Sequence, residues 1–135
     1  MAIKISDIEG IGVTNAKKLA KCDIRSVNAL LKSCGEKKGR KEAAKVSGID
    51  EKKILKWVNM ADLYRIKGVG SEYSELLEKA GVDTVKELRN RNPENLHAKM
   101  LEVNAKKKLV RRPPSIKFVK KWVAHAKKLK PMVSY

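Results

Sequence analysis

Apolar positions recur at helical spacing along the chain, and no segment alternates apolar and polar residues long enough to read as a strand. Ile54, Leu55, Val58 and Ala61 form one stripe, and Val119, Trp122, Val123 and Ala126 form another. Leu76, Leu77 and Ala80 continue the pattern, and Val85 and Leu88 start the next helix. The spacing predicts an all-α protein. In the first half it predicts helices over about Ile3–Glu9, Val13–Lys21, Ser26–Cys34, Arg40–Ser47 and Glu51–Tyr64.

Helix punctuation agrees with this periodicity. Ser71 is placed to cap a helix that runs to Ala80, with Gly81 as its stop. Thr84 with Glu87 forms a capping-box pattern, and Asn92-Pro93 sets a cap before a proline at the first helical position. Asp50 and Ser115 are placed to cap the helices that carry Trp57 and Trp122, and Pro131 ends the latter.

These helices fall into a repeat. Ile8-Glu9-Gly10-Ile11-Gly12 lies over Ile66-Lys67-Gly68-Val69-Gly70 at an offset of 58 residues. The register continues through Leu19 and Leu77, Ile24 and Val82, Ser26 and Thr84, and Leu30 and Leu88. Lys56-Trp57-Val58 then matches Lys121-Trp122-Val123, now at an offset of 65. Seven extra residues are therefore expected in the second unit, in a basic connection between Asn104 and Pro114. The expected division is 1–62 and 63–135, each unit holding four or five helices. No breaker separates Trp57 from Ile66, which predicts a rigid junction between two units packed on each other.

Ile8-x-Gly10-Ile11-Gly12-x-x-x-Ala16-x-x-Leu19 resembles the helix-hairpin-helix motif. Ile66-x-Gly68-Val69-Gly70-x-x-x-Ser74-x-x-Leu77 resembles it again, with Ser in place of Ala. The resemblance implies two SAM-like units that touch a nucleic-acid backbone without reading bases, as in DNA repair proteins and the C-terminal domain of the bacterial RNA polymerase α subunit. The chemistry fits: a glycine turn followed by a helix start offers free N–H groups and partial positive charge to a phosphate oxygen. Neither copy has the proline that often follows the second glycine. Nearly the whole chain also resembles a bacterial family of small tandem-repeat proteins described only as a domain of unknown function. That likeness rests on Lys56-Trp57-Val58-Asn59-Met60-Ala61-Asp62-Leu63 and Gly68-Val69-Gly70-Ser71-Glu72-Tyr73-Ser74.

Charge sharpens the picture. The chain holds 32 Lys and Arg against 15 Asp and Glu, a net charge of +17. Such an excess favours polyanionic partners. It is uneven: residues 61–103 carry seven basic and eight acidic side chains, whereas 104–135 carry eleven basic and none acidic. The helix after Gly12 presents Thr14, Lys17 and Lys18, which suit a phosphate, while the helix after Gly70 presents Glu72, Glu75 and Glu78, which repel one. The first hairpin is therefore the candidate phosphate site, and the second reads as structural or as a protein contact.

The candidate nucleic-acid-binding residues are Gly10, Gly12, Thr14, Lys17, Lys18, Lys37, Lys38, Arg40, Lys106, Lys107, Lys108, Arg111 and Arg112. The expected partner is the phosphate backbone of DNA, with RNA as the lesser expectation. A protein-interaction scaffold and a nucleotide or small-anion site at the first hairpin are the alternatives. Trp57 and Trp122 are assigned to core packing, with base stacking as the lesser reading. Lys37-Lys38-Gly39-Arg40-Lys41 lacks the spacing of a phosphate loop.

No nucleophile–base pair, paired carboxylates or metal-ligand spacing stands out around His97, His125, Cys22 or Cys34, so no enzyme activity, cofactor or metal is expected. No membrane partner is expected either. The first residues lack the apolar run of a secretory signal, and two unpaired thiols suit a reducing cytoplasm.

Overall fold

Short polar side chains set most of the helix starts. Ser26 Oγ accepts the Ala29 N–H at 3.0 Å, Thr84 Oγ1 accepts that of Glu87 at 3.3 Å, and Asn92 Oδ1 accepts that of Asn95 at 3.0 Å. Asp50 Oδ1 accepts the Lys52 N–H at 2.9 Å, and Ser115 Oγ that of Phe118 at 3.4 Å. Each satisfies a donor that the helix itself leaves open. Ser71 does not cap: it is the first helical residue, after Gly70 in extended conformation.

The computed structural model describes residues 4–8 and 10–135. After a 3₁₀ turn at Ile5–Asp7 come eight helices: α1 (Gly12–Ala20), α2 (Val27–Cys34), α3 (Lys37–Ser47), α4 (Glu51–Leu63), α5 (Ser71–Lys79), α6 (Val85–Leu88), α7 (Pro93–Lys107) and α8 (Ile116–Lys128). No strand occurs among the described residues. Ile3 and Glu9, the expected ends of the first short helix, lie outside them.

The chain divides into two units, residues 1–62 with 132–135, and residues 63–131. The expected second unit ran to 135; instead the last four residues belong to the first. Arg40 accounts for this. Its guanidinium donates to the carbonyls of Cys34 at 3.1 Å and Gly35 at 2.8 Å, and to that of Ser134 at 2.6 Å. The Ser134 N–H also donates to the Gly35 carbonyl at 2.8 Å.

The two units repeat the same local solutions. In the first, the Ile8 N–H donates to the Ile5 carbonyl at 3.2 Å and that of Ile11 to Ile8 at 3.1 Å; in the second, Ile66 donates to Leu63 and Val69 to Ile66, both at 3.1 Å. Gly10 and Gly68 have φ of 91° and 92°, in the left-handed region that a side chain resists. A Cβ on Gly10 would lie 3.3 Å from Trp57 Nε1, and one on Gly68 3.2 Å from Trp122 Nε1. Each glycine turn is thus closed by the tryptophan of its own last helix. The next turn matches too. Ile24 donates to Leu19 across Asp23 (φ 60°), and Val82 to Leu77 across Gly81 (φ 97°), which ends α1 and α5 with wrapped carbonyls.

Matching side chains fill each core. Ile8, Ile11, Leu19, Ile24, Leu30 and Trp57 are buried in the first unit, as are Ile66, Val69, Leu77, Val82, Leu88 and Trp122 in the second. Each such burial is worth about 1.5–3 kcal/mol relative to exposure. Ser74 replaces Ala16 and is fully buried, its hydroxyl donating to the Ser71 carbonyl at 2.9 Å.

Two boundaries depart from the sequence reading. Helix α3 starts at Lys37, ahead of the expected Arg40, because Gly39 lets its first turn close on the end of α2; a Cβ there would collide with the Ser33 carbonyl. Helix α7 absorbs much of the expected basic connection. It has 15 residues where α3 has 11, so Lys106 and Lys107 form its last turn.

Candidate nucleic-acid interface

In the first unit the Gly10 turn is fixed from three sides. Ile8 and Ile11 anchor it in the core, Trp57 closes on Gly10, and Asn15 Nδ2 donates to the Gly10 carbonyl at 3.3 Å. Gly12 has φ of 62° and opens α1. No side chain caps α1, so no cap side chain takes up its first N–H groups, and Thr14, Lys17 and Lys18 are exposed along it. Cations also gather at α3, which packs against α1 and α2. Lys37 lines a depression of about 470 Å³ with Lys41, Asp50, Lys52, Leu55 and Tyr135, whereas Lys38 lines a second one with Lys32, Glu36 and Met132. Arg40 is only 2% exposed and its guanidinium is committed to three carbonyls. It is therefore corrected from a phosphate contact to the clamp that holds the chain's end.

In the second unit Lys106, Lys107, Lys108, Arg111 and Arg112 are all exposed at the end of α7 and in the segment that follows. Their backbone is held firmly. Lys108 takes φ of 50° as the helix stop, and the buried Asn104 side chain bonds both polar groups of Val110, accepting from its N–H at 3.0 Å and donating to its carbonyl at 3.1 Å. Further along, Tyr73 Oη donates to the Arg112 carbonyl at 3.2 Å, and His97 Nε2 donates to that of Pro114 at 2.9 Å. Lys106 shares Glu102 with Lys99 at 3.7 and 3.8 Å, contacts worth little at this exposure.

The second glycine turn is less acidic in space than in sequence. Helix α8 lays Phe118, Lys121, Trp122 and His125 beside it, and with Lys67 and Gly68 they line a cleft of about 410 Å³. The Lys67 N–H donates to His125 Nδ1 at 3.2 Å, which puts the imidazole's proton on Nε2. Phe118 is 54% exposed. Trp122 is 2% exposed and stacks obliquely on Tyr73, ring centroids 5.3 Å apart, and Trp57 is 3% exposed. The tryptophans serve the cores. In the sequence His125 was weighed only as a metal ligand, and Phe118, Lys67 and Lys121 carried no assigned role of their own. The signal for three of them was the spacing of Phe118, Lys121, Trp122 and His125, which puts them on one side of α8.

Burial pushes the Cys34 thiol up to about 11, and burial with the nearby Asp23 charge also raises Cys22. Both are free thiols. A raised thiol is a poor nucleophile at neutral pH. Among the described residues no group of three or more His, Cys, Asp or Glu side chains could hold a metal, and no helix is long and apolar enough to cross a membrane.

Residues 9–129 match the family described as Domain of unknown function (DUF4332). The chain belongs to the DUF4332 family. No solved structure matches it. Membership of DUF4332 covers both units, and it assigns no activity to either.

Proposed function

We propose that this DUF4332 protein binds nucleic acid, DNA in the first instance, through backbone phosphates and without reading base sequence. The observation that carries the reading is the exposed run Lys106, Lys107, Lys108, Arg111 and Arg112, held on a backbone pinned by Asn104 and Tyr73, in a segment with no acidic residue. The open helix start after Gly12, with Thr14, Lys17 and Lys18 along α1, offers a second phosphate contact of the helix-hairpin-helix kind. Lys37 and Lys38 add charge to that unit. The protein acts as a binder with no catalytic step, in the cytoplasm. Binding would release counterions, so affinity would depend steeply on salt.

Charge reversal tests the carrying observation. Replacing Lys106, Lys107 and Lys108 by Glu is expected to weaken duplex binding to a similar degree for unrelated sequences. It should also flatten the log–log salt slope by about 0.9 for each phosphate no longer neutralised. An Arg111→Glu/Arg112→Glu variant, outside α7, checks that the weakening does not come from helix unfolding. Unchanged affinity in both variants contradicts the assignment.

A further inference from the structure

We infer that the cleft beside the second glycine turn takes one unpaired base of a single-stranded nucleic acid. The inference deepens the phosphate-binding reading and rests on it. Four observations converge. First, the cleft is bounded by an aromatic ring that is more than half exposed, Phe118, although the protein is poor in aromatic residues and places its tryptophans in the cores. An exposed ring of this kind offers a stacking face to any base. Second, the lining is cationic: Lys67 and Lys121 both line the cleft and are exposed, which supplies charge for the phosphates next to an inserted base. Third, the volume of about 410 Å³ lies toward the lower end of the ~300–1,000 Å³ typical of small-molecule sites. It accommodates a single base. Fourth, His125 is oriented: its Nδ1 is used by the Lys67 N–H, so its Nε2–H is a donor for a ring nitrogen or carbonyl of the base.

The first unit lacks this combination. At the repeat offset of 65, Lys53 stands for Phe118, and Met60, 1% exposed, stands for His125. The two units thus share a scaffold and differ at this edge. The first offers only charge to a backbone, and the second offers charge and a stacking face. Acidic Glu72, Glu75 and Glu78 on α5, which in the sequence spoke against a phosphate at the second hairpin, do not line the cleft.

The test compares three labelled probes of equal length by fluorescence anisotropy at fixed salt: a thymidine oligonucleotide, an abasic single strand and a duplex. The wild-type protein is expected to prefer the thymidine strand over the abasic strand. Phe118→Ala should lose about tenfold in affinity for the thymidine strand, with abasic and duplex binding unchanged. Phe118→Trp should retain the preference, and replacing Lys106, Lys107 and Lys108 by Glu should weaken all three probes alike. Phe118 is exposed, so its removal spares the fold, and an unaltered melting temperature verifies this. If Phe118→Ala leaves the thymidine preference intact, or if the wild type shows none, the cleft assignment is overturned while salt-dependent binding stands. If the wild type binds no probe, the phosphate-binding reading falls, and this one with it.

Discussion

Gly68 and Asp83 show how single residues set the second unit's stability in opposite ways. Gly68 holds φ of 92° beside the Trp122 indole. Gly68→Ala therefore combines a left-handed alanine, about 1–2 kcal/mol, with a Cβ crowding a buried ring. Chemical denaturation should show a destabilisation of about 2 kcal/mol, and Gly10→Ala, beside Trp57, a similar one. Asp83 is a local liability. Burial, then the charges of Glu87 and Glu78, raise its carboxyl above the ordinary value against the opposing pull of Arg91. With its pKa higher in the folded state than in the unfolded one, the folded protein binds more protons in that window, and stability falls as pH rises through it. Asp83→Asn should raise the melting temperature at pH 7, and the gain should shrink as pH falls from the raised folded-state value toward the ordinary carboxylate range and vanish below it. An unchanged difference at pH 3 and pH 7 would contradict this.

At the scale of elements, caps and stops explain what the sequence discloses and what it hides. Ser26, Thr84, Asn92 and Ser115 start helices where their side chains say they should, because each needs only local geometry. The repeated Gly–Ile/Val–Gly turns were equally legible, since glycine spacing and apolar period speak for themselves. The longer α7 was not. Its lysines read as a loop, yet cations at a helix C-terminus suit the dipole, and the stop is set by Lys108 and by Asn104 reaching six residues ahead. Arg40 was misread for a related reason. Its partners include a carbonyl 94 positions away, which no local pattern reveals. Asn104→Ala would leave both polar groups of Val110 without that side chain. A destabilisation of about 2–3 kcal/mol is expected, with faster hydrogen exchange at the Val110 amide. A variant as stable as the wild type, with Val110 still protected, would show that the loop is held otherwise.

For the molecule as a whole, net charge and its placement underlie the proposed function. A charge of +17 disfavours a compact chain through self-repulsion, so an anionic partner relieves a standing cost. The fold distributes that charge over recognisable places: the open start of α1, the end of α7 with its pinned loop, and the cleft along α8. Net charge, the first hairpin and the basic tail were visible in the sequence. The cleft was not, because Lys67 and Phe118 come together only when α8 folds back on the glycine turn.

The most direct test of the central claim is the binding of nuclease-treated protein to random-sequence duplex across a salt series. Binding through backbone phosphates predicts a straight log–log decline in affinity with a slope of several ions, insensitive to base sequence. Binding absent near physiological salt, or no stronger than that of a lysine-rich control peptide of equal charge, would contradict it.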